Sequence, residues 1–165
     1  MDKKKPPLAN YFTVLNLFAG LLSIYFAITS NFLLSALMLI FAAIMDYLDG
    51  KVAQLLNIKS PFGKELDSLA DFASFGVAPS IFGFLYSHGS IWVMCAVPIF
   101  ALCGMIRLAR YNIREYSNHF FGMPITTNGL IVPLIFFLGL PDILPIIYLL
   151  SAILMVSSFK FPRLP

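Results

Sequence analysis

Apolar side chains fill this chain in long unbroken runs, separated by short clusters of Ser, Asn, Gly and Pro. No Asp, Glu, Lys or Arg falls within 6–45, 72–106, 116–141 or 143–159. A helix crossing a bilayer needs about 20 mostly apolar residues, and Phe, Leu, Ile and Ala dominate these intervals. A barrel would instead show segments of about ten residues alternating in polarity, so the pattern predicts helices. Turn signals stand at Thr29-Ser30-Asn31, from Asn57 to Gly63 around Pro61, at Ser87-His88-Gly89-Ser90, from Glu115 to Pro124, and at Pro141-Asp142. They divide the runs into six spans, roughly 11–29, 32–55, 64–87, 90–114, 126–140 and 142–158. Short connections make antiparallel hairpins of spans one and two, three and four, and five and six. Pro79, Pro98 and Pro133 fall inside spans and are expected to bend them.

Composition agrees. Of 165 residues, 59% are hydrophobic and 12% charged, with a mean hydropathy of +0.87, whereas a soluble domain carries about 25% charged residues. The net charge of +3 is too small and scattered for a nucleic-acid binder, and the apolar excess excludes disorder, a disulfide scaffold and an ordinary cytosolic enzyme. The expectation is an all-α integral membrane protein with six transmembrane helices, forming a single domain over 1–165.

Charge position gives the orientation. Lys3, Lys4 and Lys5 precede span one; Lys51, Lys59 and Lys64 sit around the second connection; Arg107, Arg110 and Arg114 close span four; Lys160 and Arg163 follow span six. With six spans, all 11 basic residues lie on one side. The positive-inside rule makes that side cytoplasmic, with both termini on it, in a multi-pass cell-membrane protein. The basic start resembles the n-region of a signal peptide. The apolar stretch after it, however, is longer than an h-region and lacks a small-residue cleavage site, so it reads as the entry to span one. Cys95 and Cys103, eight residues apart on span four, read as packing residues. His88 and His119 lack metal-ligand spacing to another His or Cys.

The acids are concentrated. Five of the eight fall between 46 and 71: Asp46, Asp49, Glu65, Asp67 and Asp71. Asp46 and Asp49 are i, i+3 at the inner end of span two, with Gly50 and Ala53 continuing the face; Asp67 and Asp71 are i, i+4 at the inner start of span three, one turn beyond Gly63. Neighbouring helices joined on the same side bring the two pairs face to face, so four aspartates are expected to line one cavity. An Asp at the centre of a spanning helix costs about 2.5–3.5 kcal/mol, and like charges repel, so cations must compensate. An all-carboxylate donor set suits a hard divalent ion, Mg²⁺ or Mn²⁺, and two such ions balance four carboxylates. Two metals facing the cytoplasm point to phosphoryl chemistry. The small residues Gly50, Ala53 and Gly63 leave room for a nucleotide, which points to a nucleotide-activated lipid as substrate.

The run Asp46-Tyr-Leu-Asp49-Gly50-Lys-Val-Ala53-Gln54, eight residues, then Gly63-Lys-Glu-Leu-Asp67-Ser-Leu-Ala-Asp71 resembles the signature of the CDP-alcohol phosphatidyltransferases. The family pattern is D-x2-D-G-x2-A-R-x8-G-x3-D-x3-D, and seven of its eight specified positions match. The resemblance implies a six-helix homodimer. It makes Asp46, Asp49, Asp67 and Asp71 the metal site and Asp71 the general base. Asp49, Gly50, Ala53, Gln54 and Gly63 become the nucleotide-binding positions. Gln54 departs from the family Arg, and Lys51, Lys64 or Arg110 would have to supply the missing charge.

The wording from Phe62 to Pro79, Arg107-Leu-Ala-Arg110-Tyr111-Asn112, Phe121-Gly-Met-Pro124 and Leu154-Met-Val-Ser157 looks like the phosphatidylserine synthase subgroup. That likeness implies CDP-diacylglycerol and L-serine as substrates, with phosphatidylserine and CMP as products. Serine brings a carboxylate, for which bidentate Arg recognition is suited, so Arg107 and Arg110, with Tyr111 and Asn112 next to them, are the expected substrate contacts. Two other readings use the same residues. A sister transferase would take another acceptor or an archaeal ether lipid, and a divalent-cation carrier would use the carboxylates as a transport site.

Overall fold

A computed structural model describes residues 8–55, 61–113, 120–157 and 160–161. Lys3, Lys4, Lys5, Lys59, Arg114, His119 and Arg163 lie outside the described residues. The described chain is helical apart from one two-residue strand pair. Its helices are α1 (Leu8–Ile28), α2 (Phe32–Leu55), α3 (Pro61–Tyr86), α4 (Ile91–Ile113), α5 (Ile125–Phe137) and α6 (Pro141–Val156). Strand β1 (Phe120–Phe121) pairs antiparallel with β2 (Lys160–Phe161), Phe120 opposite Phe161.

Among the described residues, α1 to α4 are long and apolar enough to cross a membrane. At a 1.5 Å rise per residue, the 24 residues of α2 exceed the roughly 30 Å hydrocarbon core. Helices α5 and α6 are apolar but hold only 10–17 residues each, short of the six full-length spans expected. The chain is a multi-pass membrane protein.

The hairpin turns use left-handed residues. After α1, Ser30 takes φ 60° and the Asn31 N–H reaches back to the Phe26 oxygen at 2.8 Å. After α5, Gly139 takes φ 67° and the Leu140 N–H bonds the Ile135 oxygen at 3.2 Å. Both follow the Schellman pattern for satisfying the last carbonyls of a helix.

Helix α3 lies at the centre, with 56% of its most apolar stretch buried against 33% for α1, α2 and α4. Its own Phe75 and Phe82 are fully buried, with Leu39, Phe100, Ile125 and Tyr148 fully buried on other helices. The two helices of the α1–α2 hairpin pack extensively on each other. Those of the α5–α6 hairpin do not: α6 packs chiefly along α4. There the Phe100 and Tyr148 rings meet at 5.0 Å, and Gly104 leaves room for Ile125 and Met155.

Helix α3 is not uniform. Phe72–Val77 forms a π-helical turn, in which the Ala78 N–H reaches back five residues to the Ala73 oxygen. Pro79 explains it. Proline has no N–H to offer the Phe75 carbonyl one turn earlier and crowds it, so the backbone widens before the ring. Of the three prolines expected to bend spans, this one acts by inserting a wider turn, and such turns are frequent at functional sites. Here it starts at the residue after Asp71.

Candidate functional site

Three carboxylates converge from two helices. Asp46 of α2 and Asp67 and Asp71 of α3 each offer an oxygen, and these oxygens lie within 4.8 Å of one another. Asp71 is 7% exposed. The Asp46 and Asp71 carboxyls are within hydrogen-bonding reach of each other, and the Thr126 side chain, at the start of α5, is within reach of Asp46. The fourth expected ligand, Asp49, is buried one turn from Asp46 but turns toward α1, where Thr13 donates its hydroxyl to Oδ2. The four acids thus gather as a close triad with Asp49 beside it.

Helix α1 supplies a second contact. Asn16 donates Nδ2–H to Asp71 Oδ1 at 3.2 Å, while its own Oδ1 is buried with no hydrogen-bond partner among the described residues. Close packing holds this helix in place. The Ser74 hydroxyl, in the π turn, donates to the Asn16 backbone oxygen at 3.1 Å, and a Cβ on Gly20 would come within 2.8 Å of the Ser74 Cα. Thr13, Asn16 and Thr126 are uncharged, so a reading guided by formal charge passed over them. The available signal was polar spacing, since Thr13, Asn16 and Ser23 recur at helical intervals in an apolar run.

The basic residues divide. Arg107 is 8% exposed; it lies near Asp46 and Asp71 and over the Tyr111 ring at 5.7 Å. Arg110, three residues on, instead donates to the Val156 backbone oxygen at the end of α6, at 3.3 Å. Lys64 donates to the Asn112 backbone oxygen at 3.0 Å and also lies over Tyr111. Asn112 accepts from Ser68 at 3.1 Å and donates to Glu65 at 3.4 Å. These bonds join α3 to α4 at the level of the triad. Lys51 and Gln54 are exposed on the last turns of α2, Lys51 over Tyr47 at 4.8 Å. Gly50 is exposed and a Cβ there would meet nothing within 4 Å; Ala53 and Gly63 are half-buried.

The donor set fits a metal. Carboxylates from neighbouring helices, one buried and two half-buried, close enough to share one cation, leave a concentration of negative charge that a hard divalent ion would relieve. Gly50 meanwhile leaves space beside Asp49 that the protein's own packing does not need.

Residues 7–159 match the CDP-alcohol phosphatidyltransferase family, and the chain belongs to it. It is therefore a transferase, not a cation carrier. The chain is 37% identical to a CDP-diacylglycerol–serine O-phosphatidyltransferase of Bacillus subtilis, over 92% of this chain and 87% of the relative. It is 38% identical to an enzyme of the same name from Methanocaldococcus jannaschii, over 96% and 75% of the two chains. It is also 32% identical to an archaetidylserine synthase of Methanothermobacter thermautotrophicus, over 94% and 70%.

Proposed function

We propose that this protein is a phosphatidylserine synthase, moving the phosphatidyl group of CDP-diacylglycerol to the hydroxyl of L-serine with release of CMP. The observation that carries this reading is the likeness, over 92% and 96% of the chain, to relatives named for that reaction. The aspartate triad lies where the family signature runs. The working unit is a single domain spanning 1–165, a homodimer with six crossings, and its acidic site faces the cytoplasm. Lys51, Lys64, Arg107 and Arg110, at the same ends of their helices as the acids, favour that orientation through the positive-inside rule.

Asp46, Asp67 and Asp71, with Asp49 beside them, would hold two Mg²⁺ or Mn²⁺ ions. When bound, these would polarise the diphosphate and stabilise the charge on departing CMP. Gly50, Ala53 and Gly63 give the cytidine nucleotide access to the backbone of α2 and α3. Gln54 offers an amide where the family has a guanidinium, so Lys51, exposed on the same turn, takes over charge toward the diphosphate. Asp71 accepts the proton of the serine hydroxyl as its oxygen bonds to the lipid-side phosphorus and the phosphorus–oxygen bond to CMP breaks. A carboxylate is a weak base in water, and its effect here comes from being fixed beside the reacting hydroxyl. Arg107 binds the serine carboxylate, with Tyr111 against its guanidinium plane. Lys64 and Asn112 line the same α3–α4 seam. Arg110, bonded to the end of α6, stands further from this role.

Purified protein given CDP-diacylglycerol with labelled serine, glycerol 3-phosphate or inositol, with and without Mn²⁺ or Mg²⁺, tests the reading. Metal-dependent labelling by serine alone is expected; preference for another acceptor would overturn it. An arm with an ether-linked CDP-lipid separates the archaetidylserine alternative, favoured by the third relative.

A further inference from the structure

We infer that Thr13 and Asn16 on α1 are positioning residues that set the orientation of Asp49 and Asp71 for the reaction proposed above, an inference that rests on that reading. The two are i, i+3 on one helix face, 2% and 0% exposed. Each donates to an acid on a different helix, Thr13 to Asp49 of α2 and Asn16 to Asp71 of α3. Helix α1 carries no acid or base among its described residues, yet it gives a side-chain hydrogen bond to one acid on each of the two acid-bearing helices. Such outer contacts fix the direction in which a carboxylate presents its free lone pairs.

The state of Asn16 argues that its role is not stability. A structural asparagine in an apolar interior satisfies both ends of its amide, because an unpaired buried polar atom destabilises the fold. Here the donor end goes to Asp71 and the acceptor end, Oδ1, goes unpartnered among the described residues. Leucine would fill much the same volume without that penalty. The amide is kept at a cost to stability, and what it supplies is the bond to Asp71. The Ser74 bond to the Asn16 backbone and the close approach at Gly20 hold α1 against the π turn. The register between Asn16 and Asp71 is thereby fixed by packing rather than by the amide itself.

Detergent-purified Thr13→Val, Thr13→Ser and Asn16→Leu proteins test the inference by Mn²⁺ binding (electron paramagnetic resonance), thermal unfolding, and kcat and KM from CMP release. Loss of an outer-shell bond weakens metal binding or activity by about 10- to 100-fold. Thr13→Val is expected to weaken Mn²⁺ binding by about that range, and Thr13→Ser, which keeps the hydroxyl, to restore it. Asn16→Leu is expected to lower kcat by about 10-fold or more, with the KM for CDP-lipid little changed and the unfolding temperature equal to or above that of the wild type. Identical Mn²⁺ affinity in Thr13→Val and Thr13→Ser would overturn the Thr13 role. An Asn16→Leu protein that unfolds earlier in step with its lost turnover, or that turns over normally, would overturn the Asn16 role. CMP release is followed with whichever acceptor the wild type uses, so failure with serine counts against the acceptor reading and leaves this comparison intact.

Discussion

Tyr148 on α6 donates its phenolic hydrogen to the Pro79 backbone oxygen on α3 at 2.6 Å, just beyond the π turn. The ring also lies against Gly83, where an added Cβ would overlap the phenol. Tyr148→Phe removes one buried hydrogen bond, a loss of about 1 kcal/mol. Gly83→Ala forces the ring from its place, and overpacking of this kind destabilises by about 1–3 kcal/mol. Thermal unfolding in detergent should rank the wild type above Tyr148→Phe and Tyr148→Phe above Gly83→Ala. A Gly83→Ala protein as stable as the wild type would contradict the packing described.

Gly50 presents the opposite case. A Cβ there meets nothing in the protein, and alanine is favoured over glycine within a helix by about 1 kcal/mol. Gly50→Ala should therefore unfold no earlier than the wild type and bind CDP-lipid more weakly, because the methyl occupies space assigned to the nucleotide. Calorimetric titration with a soluble CDP analogue measures this, and unchanged affinity would remove Gly50 from the nucleotide site.

Asp71→Asn keeps the shape of the side chain and its capacity to accept from Asn16, but removes the proton acceptor. Turnover should fall below detection while CDP-lipid binding is largely kept. Parallel loss of binding would make Asp71 a ligand or structural group first. Asp46→Asn and Asp67→Asn should lose binding and turnover together.

Chelation gives a prediction independent of mutation. EDTA should abolish CMP release, and Mg²⁺ or Mn²⁺ should restore it where K⁺ does not. Activity that persists after exhaustive chelation would dismiss the metal-site reading of the triad.

The division between Arg107 and Arg110 sets a kinetic contrast. Arg107→Gln should raise the serine KM by about 10-fold or more, as expected for loss of a charge-assisted contact worth about 1.5–3 kcal/mol, with CDP-lipid affinity little changed. Arg110→Gln should lower thermal stability modestly through the lost bond to Val156, with a serine KM near that of the wild type. Equal KM effects would return both to one site.

Much of the frame was legible in the chain. Span boundaries at 32–55 and 90–114 fall within a residue of Phe32–Leu55 and Ile91–Ile113, because charge-free runs bounded by turn residues leave a helix little freedom in a bilayer. The spacing of Asp46, Asp67 and Asp71 foretold their convergence. Three features stayed hidden for physical reasons. Partner choice depends on tertiary packing, so nothing in the hairpin turns indicated that α6 would lie along α4. Helical spacing fixes where a side chain starts but not where a long one ends, so Arg107 and Arg110 share a face and reach different partners. The contacts from Thr13, Asn16 and Thr126 link residues far apart in the sequence, and no local pattern encodes them.

The π turn of α3 has a geometric consequence. An α-helix advances about 100° per residue, and a π turn accommodates one extra residue without carrying that rotation fully into the next stretch. The acid-bearing half, Pro61–Asp71, and the apolar half, Ala78–Tyr86, are thus phased separately about one axis. Within an unbroken α-helix one extra residue would swing Asp67 and Asp71 by about 100° relative to Phe82 and Gly83; the wider turn takes up most of that rotation. In this rod the wide turn works as a joint, letting the acids and the apolar half each keep the azimuth its own neighbours require.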